Sequence, residues 1–218
     1  MRRNDLSEAI QDYLKELYKL EASGQRSTTT AIAKSLGVAP SSATAMVKKL
    51  AALRLVEHAP YRGATLTEAG RKIGLEVTRH HRLLEVYLAE TLGLGIDAVH
   101  DEADRLEHVI SEELEARIDQ ALGFPTHDPH GDPIPDAALR LESSELRSLA
   151  QLEPGDEATV RRIPDGDPRV LRYLAGLDLV PGCRVLVRSI DSRGPVTVAI
   201  DGHEHSLPRE VAGLIGVG

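Results

Sequence analysis

Apolar residues recur every three or four positions near the start of the chain, and this spacing predicts short amphipathic helices. The helices are expected over residues 7–22, 28–36 and 40–53, and Gly37 ends the second one. Two short runs on either side of a turn at residues 61–63 predict a β-hairpin. Two helices joined by a glycine-bearing turn and followed by a hairpin predict a winged helix-turn-helix, an architecture that binds DNA.

Helical periodicity continues beyond the hairpin. It predicts a long helix over residues 68–94 and a second helix over residues 97–122. Residues 124–136 contain four prolines, so they are expected to form an ordered loop. Residues 137–152 are polar and weakly helical in pattern, and residues 141–152 are expected to act as a tether.

The pattern changes to short β-rich runs from Gly155 onward, and PRVLRYLAG among them predicts one short helix. The β-rich runs are EATVRRI, CRVLVRSI, PVTVAI and HEHSLPREVAGLI. Runs of this kind, separated by Pro, Gly and Asp, predict a small β-barrel. The expected fold class is therefore mainly α with a small β part. Its expected parts are residues 1–72, residues 73–140, the tether and residues 153–218.

The formal net charge of −8 is distributed unevenly. Residues 1–72 hold 12 basic and 7 acidic residues, a balance of +5, whereas residues 73–140 hold 5 basic and 15 acidic residues, a balance of −10. A basic head can meet DNA phosphates, and an acidic middle can hold cations. The single cysteine, Cys183, excludes an internal disulfide. Without a signal peptide or a long apolar run, the chain is expected to be cytoplasmic and to have no membrane partner.

The third predicted helix opens with small hydroxyl residues and carries lysines further along. Small side chains let the backbone approach the major groove, and lysines contact phosphates. A purely structural three-helix region is the alternative, but the local positive charge and the wing favour DNA binding. The residues expected to face double-stranded DNA are Thr28, Ser41, Ser42, Thr44, Lys48, Lys49 and Arg62.

Four candidate metal ligands lie close together in the predicted 97–122 helix. His100, Asp104, Glu107 and His108 fall within an arc of roughly 100° on one face of that helix. Two imidazoles and two carboxylates in one stripe predict a site for Mn(II), Fe(II), Zn(II) or a similar ion. A surface role would be the better interpretation of any one of these residues alone.

Further candidates lie on either side of this stripe. His81 and Glu85 are four residues apart, so they share a helix face. Asp12 faces away from the apolar side of the first helix and is available to a partner. His127 and His130 in the proline-rich loop could bind Zn(II), but solvated surface is the simpler interpretation.

The segment VTRHHRLLEVYLAETLGL and the following VHDEADRLEHVISEELEARI resemble the diphtheria toxin repressor family of metal-dependent regulators. SEAIQDYLKELYKLE before them, GDPIP after them and YRGATLTEAG in the wing extend the resemblance over essentially the whole chain. The manganese-responsive branch is the most similar. The resemblance implies a helical metal-binding and dimerisation domain, a C-terminal SH3-like domain of the FeoA type, and no enzymatic activity.

The resemblance also implies two metal sites. Carried over to this chain, the primary site consists of Asp12, Asp104, Glu107 and His108, with the main-chain carbonyl of Asp104. The second site consists of His81, Glu85 and His100, and the C-terminal domain contributes Asp167.

Two departures from the family pattern bear on the metal. Iron-responsive members carry Met and Cys where this chain has Asp12 and Asp104, and two hard oxygen donors shift the preference toward Mn(II). Lys15 stands at a position that is acidic in the shorter manganese regulators. Fe(II), Co(II) and Zn(II) are expected to bind in vitro as well, because the Irving–Williams order places Mn(II) lowest among them.

These observations predict a manganese-activated, homodimeric repressor of metal-uptake genes that binds operator DNA. The metal is expected to bridge the first helix to the dimerisation domain, and so to set the spacing of two DNA-binding heads. An iron-responsive repressor of the same family is the alternative. A winged-helix regulator of a small organic ligand and a dinuclear hydrolase are more distant alternatives, and no HExxH, GxSxG, Walker or GxGxxG pattern supports an enzyme.

Overall fold

The computed structural model of the chain describes residues 3–59, 63–141, 145–191 and 194–218. The chain divides into two compact units, each built from separate segments. The first unit comprises Met1–His81, Leu106–Glu115 and Pro135–Arg140. The second unit comprises Arg82–Arg105, Ala116–Ile134 and Leu141–Gly218. The domain boundaries expected from the sequence stay a prediction.

The first unit contains the expected winged helix-turn-helix. Its elements are α1 (Glu8–Ala22), α2 (Thr29–Ser35), α3 (Pro40–Ala52), β1 (Val56–Ala59) and β2 (Gly63–Leu66). The apolar stripe of α1 buries Leu14 and Leu17 completely, which explains why this segment is helical in its folded context. β1 and β2 pair in antiparallel register, and Val56 lies opposite Leu66.

Gly63 holds the wing against the segment that leads into α2. Its φ is +92°, and a Cβ at this position would lie 2.6 Å from the carbonyl oxygen of Ser27. The same carbonyl accepts a hydrogen bond of 3.0 Å from the backbone N–H of Ala64. Because only glycine combines this conformation with so close an approach, the wing is attached at its root by backbone contacts.

Three helices follow the wing: α4 (Glu68–Glu90), α5 (Val99–Leu106) and α6 (Glu112–Ala121). The prediction of one helix over residues 97–122 is wrong, because the chain leaves the helix after Leu106 and re-enters it at Glu112. His100 and Asp104 therefore lie on α5, whereas Glu107 and His108 lie in the turn that follows it. The single helical stripe of four ligands does not exist.

This break, called here the 107–111 turn, is stabilised from outside the helix. The guanidinium of Arg3 donates to the carbonyl oxygens of Glu107, His108 and Ile110 at 3.3, 3.3 and 3.0 Å. A continuous helix would use these acceptors internally. Ser111 then begins the next helix, since its hydroxyl accepts from the backbone N–H of Leu114 at 3.2 Å.

The proline-rich loop of the second unit is ordered, as expected. One carboxylate oxygen of Asp128 accepts from the backbone N–H groups of His130 and Asp132, both at 2.9 Å. Gly131 has a φ of +89°, and a Cβ there would lie only 1.9 Å from the carbonyl oxygen of Arg161. The loop therefore packs directly on the backbone of the following sheet.

The second unit ends in an antiparallel six-stranded sheet with strand order β3-β8-β4-β5-β6-β7. The strands are β3 (Arg147–Ser148), β4 (Glu157–Arg162), β5 (Arg184–Ile190), β6 (Val196–Ile200), β7 (His203–Leu207) and β8 (Gly216–Val217). Its helices are α7 (Pro168–Ala175) and α8 (Arg209–Ala212). The sheet covers a core of buried residues that includes Val160, Leu171, Leu174, Val187 and Val198.

Three details of this unit differ from the prediction. The sheet is open rather than a closed barrel among the described residues, because the edge strands β3 and β7 do not pair with each other. α8 replaces part of the last predicted β-rich run, directly after Pro208. The weak helix expected over residues 137–152 is absent from its described part, where β3 and a 3-10 turn are found. Reciprocal hydrogen bonds between Ser148 and Gln151 stabilise that turn.

None of the helices in the described ranges is long and apolar enough to cross a membrane.

Candidate metal centre

The first unit brings together Asp12 of α1 with Glu107 and His108 of the 107–111 turn. One ligand atom from each of these residues lies within 4.8 Å of the others. His108 Nε2 is 2.9 Å from a carboxylate oxygen of Asp12, and its Nδ1 is 3.1 Å from the side-chain oxygen of Gln11. This Asp12–Glu107–His108 group offers two carboxylates and one imidazole at a spacing that suits a divalent ion.

Glu107 is the buried centre of the group, with no exposed surface. Both of its carboxylate oxygens accept from Lys15 Nζ, at 2.8 and 2.9 Å. His81 Nδ1 lies 2.6 Å from one of these oxygens, and His108 Nε2 lies 3.4 Å from the other. A buried carboxylate is stable only when its charge is matched, and here one ammonium and two imidazoles surround it.

The pKa of His108 reflects the same balance of forces. Burial lowers this pKa, but the hydrogen bond to Asp12 and the negative charge of Glu107 raise it by more, so the net pKa lies above the ordinary histidine value. A metal ion requires a deprotonated imidazole. Protons therefore compete with a cation for this histidine below its raised pKa.

Sequence reasoning missed the residues that support the 107–111 turn. Arg3 has an exposed fraction of only 2 %, and no periodicity near the start of the sequence predicts that an arginine is buried there. His80 is also fully buried. Its Nδ1 is 3.2 Å from the carbonyl oxygen of Glu107, and its Nε2 is 3.0 Å from a carboxylate oxygen of Glu115. These two residues fix the backbone that presents the candidate ligands Glu107 and His108.

The second unit contains a different arrangement around Glu85. His100 Nδ1 of α5 is 3.1 Å from one carboxylate oxygen of Glu85, and its Nε2 is 3.8 Å from a carboxylate oxygen of Asp104. Asp104 itself is exposed. Glu85 and His100, two of the three residues expected in the second site, therefore meet directly.

Glu85 also belongs to a fully buried group with Asp128 and His130, whose ligand atoms lie within 4.8 Å of one another. Nε2 of His130 is 3.1 Å from the carbonyl oxygen of Ile96, so it must carry the proton and donate. Nδ1 of His130 has no hydrogen-bond partner among the described residues and lies 3.7 Å from the second carboxylate oxygen of Glu85. An oriented imidazole whose second, buried nitrogen makes no hydrogen bond is suited to metal coordination once that nitrogen has lost its proton.

This Glu85–Asp128–His130 group corrects one expectation and leaves another unchanged. His130 is buried, contrary to the interpretation of solvated surface, because the ordered loop turns it inward, whereas His127 is exposed as expected. Burial and the charge of Glu85 raise the pKa of Asp128 to about 7. Burial lowers the pKa of His130, but interactions with Glu85 and Asp128 raise it to about 9.

The residues expected in the second site, and Asp167, are distributed over both units of the chain. His81 belongs to the first unit, and Glu85, His100 and Asp104 belong to the second, so the ligand sets that combine residues of both units stay predictions. Asp167 caps α7 by accepting from the backbone N–H of Arg169 at 2.9 Å. Its side chain also pairs with Arg169, which lowers the pKa of Asp167 to about 2. Its role as a ligand stays a prediction.

The residues expected to contact DNA occupy three kinds of position. Ser41, Ser42, Lys48 and Lys49 are exposed on α3. Thr44 is half-buried, and its hydroxyl donates to the carbonyl oxygen of Pro40 at 2.8 Å. Thr28 caps α2 by accepting from the backbone N–H of Ala31 at 3.1 Å. Arg62 lies outside the described residues.

Comparison with known families covers the chain in three consecutive parts. "Iron dependent repressor, N-terminal DNA binding domain" matches residues 5–64. "Iron dependent repressor, metal binding and dimerisation domain" matches residues 67–136. The FeoA domain matches residues 147–218. The Asp12–Glu107–His108 group draws on the first and second of these parts.

Individual relatives match over almost their whole length. The iron-dependent repressor IdeR of Mycobacterium tuberculosis is 33% identical over 98% of this chain and 98% of its own. The diphtheria toxin repressor of Corynebacterium efficiens is 37% identical over 98% of this chain and 96% of its own. A solved structure described as a manganese-dependent transcriptional repressor in complex with manganese is 41% identical, with a TM-score of 0.90 over 95% of this chain and 98% of its own.

Proposed function

Because the chain belongs to the diphtheria toxin repressor family of iron- and manganese-dependent repressors, we propose that manganese is the metal that activates it. The protein is a metal-responsive, DNA-binding transcriptional repressor, and its family consists of repressors rather than enzymes. We further propose that it acts in the cytoplasm, where its operator DNA is located, and represses genes for metal uptake. The observation that carries this proposal is the Asp12–Glu107–His108 group.

The donor set of this group fits a divalent ion of intermediate hardness. Asp12, Glu107 and His108 would hold the ion together with Asp104, and no thiolate or thioether is among them. Relatives named for iron leave Fe(II) as the alternative. Two aspartates favour Mn(II) over Fe(II), and the 41% identical manganese-dependent repressor supports this choice.

The ion would supply positive charge to a cluster of acidic side chains. Glu107 contributes a buried carboxylate, and Asp12 contributes a half-exposed carboxylate from α1. The ring of His108 is oriented by its contact with the side-chain oxygen of Gln11. Because α1 belongs to the winged helix-turn-helix, a ligand on α1 ties that domain to the 107–111 turn. Binding of the metal and binding of DNA are then linked. The coupling free energy is roughly 1–3 kcal/mol if it is typical of allosteric proteins.

We propose a second metal site around Glu85. Its proposed ligands are His81, Glu85 and His100. His100 contacts one carboxylate oxygen of Glu85, and the buried Asp128 and His130 lie beside the other and add further donors. The C-terminal domain contributes Asp167 to this proposed donor set. The observation that favours an ion on that side is the buried Nδ1 of His130, which makes no hydrogen bond to any described residue.

The protein is proposed to bind operator DNA as a homodimer. Exposed apolar side chains in and beside the 107–111 turn are a suitable interface, because Val109 is 69% exposed and Leu114 is 46% exposed. The DNA-facing surface is proposed to be α3, with Ser41, Ser42, Thr44, Lys48 and Lys49, together with Thr28 and Arg62. Two such heads on successive major grooves would be about 34–36 Å apart.

Fluorescence anisotropy of operator DNA at fixed salt tests the proposal. Chelated protein is titrated with Mn(II), Fe(II), Co(II) and Zn(II). Mn(II) is expected to activate DNA binding at a lower fraction of filled metal sites than the other ions. Asp12→Asn should abolish the metal response, whereas Glu8→Gln, which changes an exposed acid on the same helix, should preserve it. Equal DNA binding with and without a chelator would overturn the proposal.

A further inference from the structure

Lys15 lies beside the Asp12–Glu107–His108 group, which is called here the first centre, and metal coordination does not explain its position. Its ammonium contacts both carboxylate oxygens of Glu107, at 2.8 and 2.9 Å. These are the oxygens that a divalent ion at the Asp12–Glu107–His108 group must use. A fully buried carboxylate that already has an ammonium on both oxygens offers little free negative charge to a second cation.

The geometry of α1 makes this arrangement specific. Asp12 and Lys15 are three residues apart, so they share a face of the helix. Asp12 contacts His108, and Lys15 contacts Glu107. The same helix face thus presents one anion and one cation to two neighbouring ligands.

Lys15 is also able to move. Its side chain is 22% exposed, whereas that of Glu107 is 0% exposed. A lysine has a flexible stem and a strongly hydrated head, so its ammonium can return to solvent when another cation arrives. Glu107 has no such option, because it cannot leave the interior without breaking its contact with His81.

We propose that Lys15 is an internal competitor of the activating metal and sets the metal concentration at which the first centre fills. This inference rests on the proposed metal centre. A divalent ion can take both Glu107 oxygens only after the Lys15 ammonium has left them. Glu107 then has a cation as partner before and after the exchange, so the cost of a buried unmatched carboxylate is avoided in both conditions.

Calorimetric titration of the chelated full-length protein with Mn(II) tests this competition without DNA. Lys15→Met removes the ammonium and keeps much of the stem, and we expect about 10-fold tighter Mn(II) binding at the first centre, which corresponds to about 1.4 kcal/mol. Lys19→Met removes the same charge from an exposed position on α1 and should leave the affinity unchanged. Lys15→Gln, with circular dichroism as a folding check, provides a second variant.

The outcomes separate this inference from the proposed function. Glu107→Gln should weaken Mn(II) binding at the first centre. If it does, and Lys15→Met and Lys15→Gln bind Mn(II) no more tightly than the unmodified protein, the competitor role is overturned while the centre stands. If Glu107→Gln leaves Mn(II) binding unchanged, the centre itself is wrongly assigned and the inference fails with it.

Amine labelling measures the displacement directly. Acetylation of each lysine, quantified by mass spectrometry with and without saturating Mn(II), should show increased labelling of Lys15 in the metal-bound protein, because its ammonium is released to solvent. Labelling of Lys19 should not change. Equal labelling of Lys15 under both conditions would overturn the proposal.

Discussion

The Asp12–Glu107–His108 group and the Glu85–Asp128–His130 group use the same kinds of side chain but balance their charges differently. In the first, the buried Glu107 is matched by Lys15 and His81, and Asp12 retains 42% of its side-chain exposure. In the second, all three side chains are buried, and Nδ1 of His130 has no hydrogen-bond partner among the described residues. Side-chain composition alone therefore does not define how a group balances its charges.

The difference concerns what must change when a cation binds. In the first group a flexible ammonium must withdraw, so affinity is set by competition. In the second group a pair of carboxyls shares a buried space, and burial together with Glu85 raises the pKa of Asp128 to about 7. There the competing cation is a proton. The two groups should consequently respond to different substitutions and to different solution conditions.

Gly131→Ala is expected to have the largest effect and to act on the second group alone. The new Cβ would lie 1.9 Å from the carbonyl oxygen of Arg161 at a φ of +89°, so the loop carrying Asp128 and His130 must shift. We expect a loss of about 3–5 kcal/mol in the free energy of unfolding. Urea denaturation of the metal-free protein measures this loss.

Gly182→Ala is the matched control for this substitution. Gly182 has a similar φ of +95°, but a Cβ there would meet no atom of the described residues within 4 Å. It should cost only the strain of the backbone conformation, about 1 kcal/mol. Equal destabilisation by the two substitutions would show that the close approach to Arg161 is not important.

Arg3→Met should weaken the first group and spare the second. It removes the donor to the carbonyl oxygens of Glu107, His108 and Ile110, and buried acceptors without partners cost about 1–3 kcal/mol each. We expect a loss of about 3 kcal/mol in unfolding free energy, with weaker Mn(II) binding at the first centre by calorimetry. Arg26→Met, at an exposed position, is the control. Unchanged Mn(II) affinity in Arg3→Met would contradict the role assigned to the turn.

The pH dependence of stability should also distinguish the two groups, although the expected effect is smaller. It should involve Asp128 of the second group. The folded-state pKa of Asp128 is raised to about 7 from an ordinary value of 3.8. Its contribution to stability is therefore full below about pH 4 and is lost as the pH rises through about 7. Asp128→Asn should remove this loss, which we expect to be about 5 °C in melting temperature for the metal-free protein. Identical slopes for both proteins between pH 4 and 7 would exclude this account.

Asp167 is expected to give the smallest effect. It caps α7, so Asp167→Ala should slightly lower the stability in thermal or urea unfolding, because the N-cap acceptor is lost. Asp167→Ser keeps an N-cap oxygen and removes the carboxylate. If Asp167 is a metal ligand, both variants should weaken Mn(II) binding at the second site. If it is only a cap, neither should weaken it, and stability should fall in Asp167→Ala alone.

Features determined by local pattern could be predicted from the sequence. The helices of the winged helix-turn-helix follow apolar spacing, and Leu14 and Leu17 are buried as that spacing requires. The strands β4, β5 and β6 follow short β-branched runs in the same way. Asp12, Glu107 and His108 were identifiable from the family resemblance, and they meet in the first unit.

Features determined by distant residues could not be predicted in this way. The break after Leu106 depends on Arg3, which is more than 100 residues earlier in the chain. The burial of His130 depends on Glu85 and Ile96, since nothing in the local loop sequence distinguishes it from the exposed His127. Closure of a sheet depends on which strands pair at its edges, and alternating residues alone do not specify that pairing.

The dependence of the 107–111 turn on Arg3 has a consequence for protein synthesis. Arg3 contacts partners that are 104 to 107 residues later in the chain, so the turn cannot be completed until residue 110 has been added. At a translation rate of about 5–20 residues per second, this delay is roughly 5–20 s. A nascent chain therefore contains all of α3, the helix proposed to contact DNA, which ends at Ala52, well before it contains the residues that would make DNA binding depend on metal.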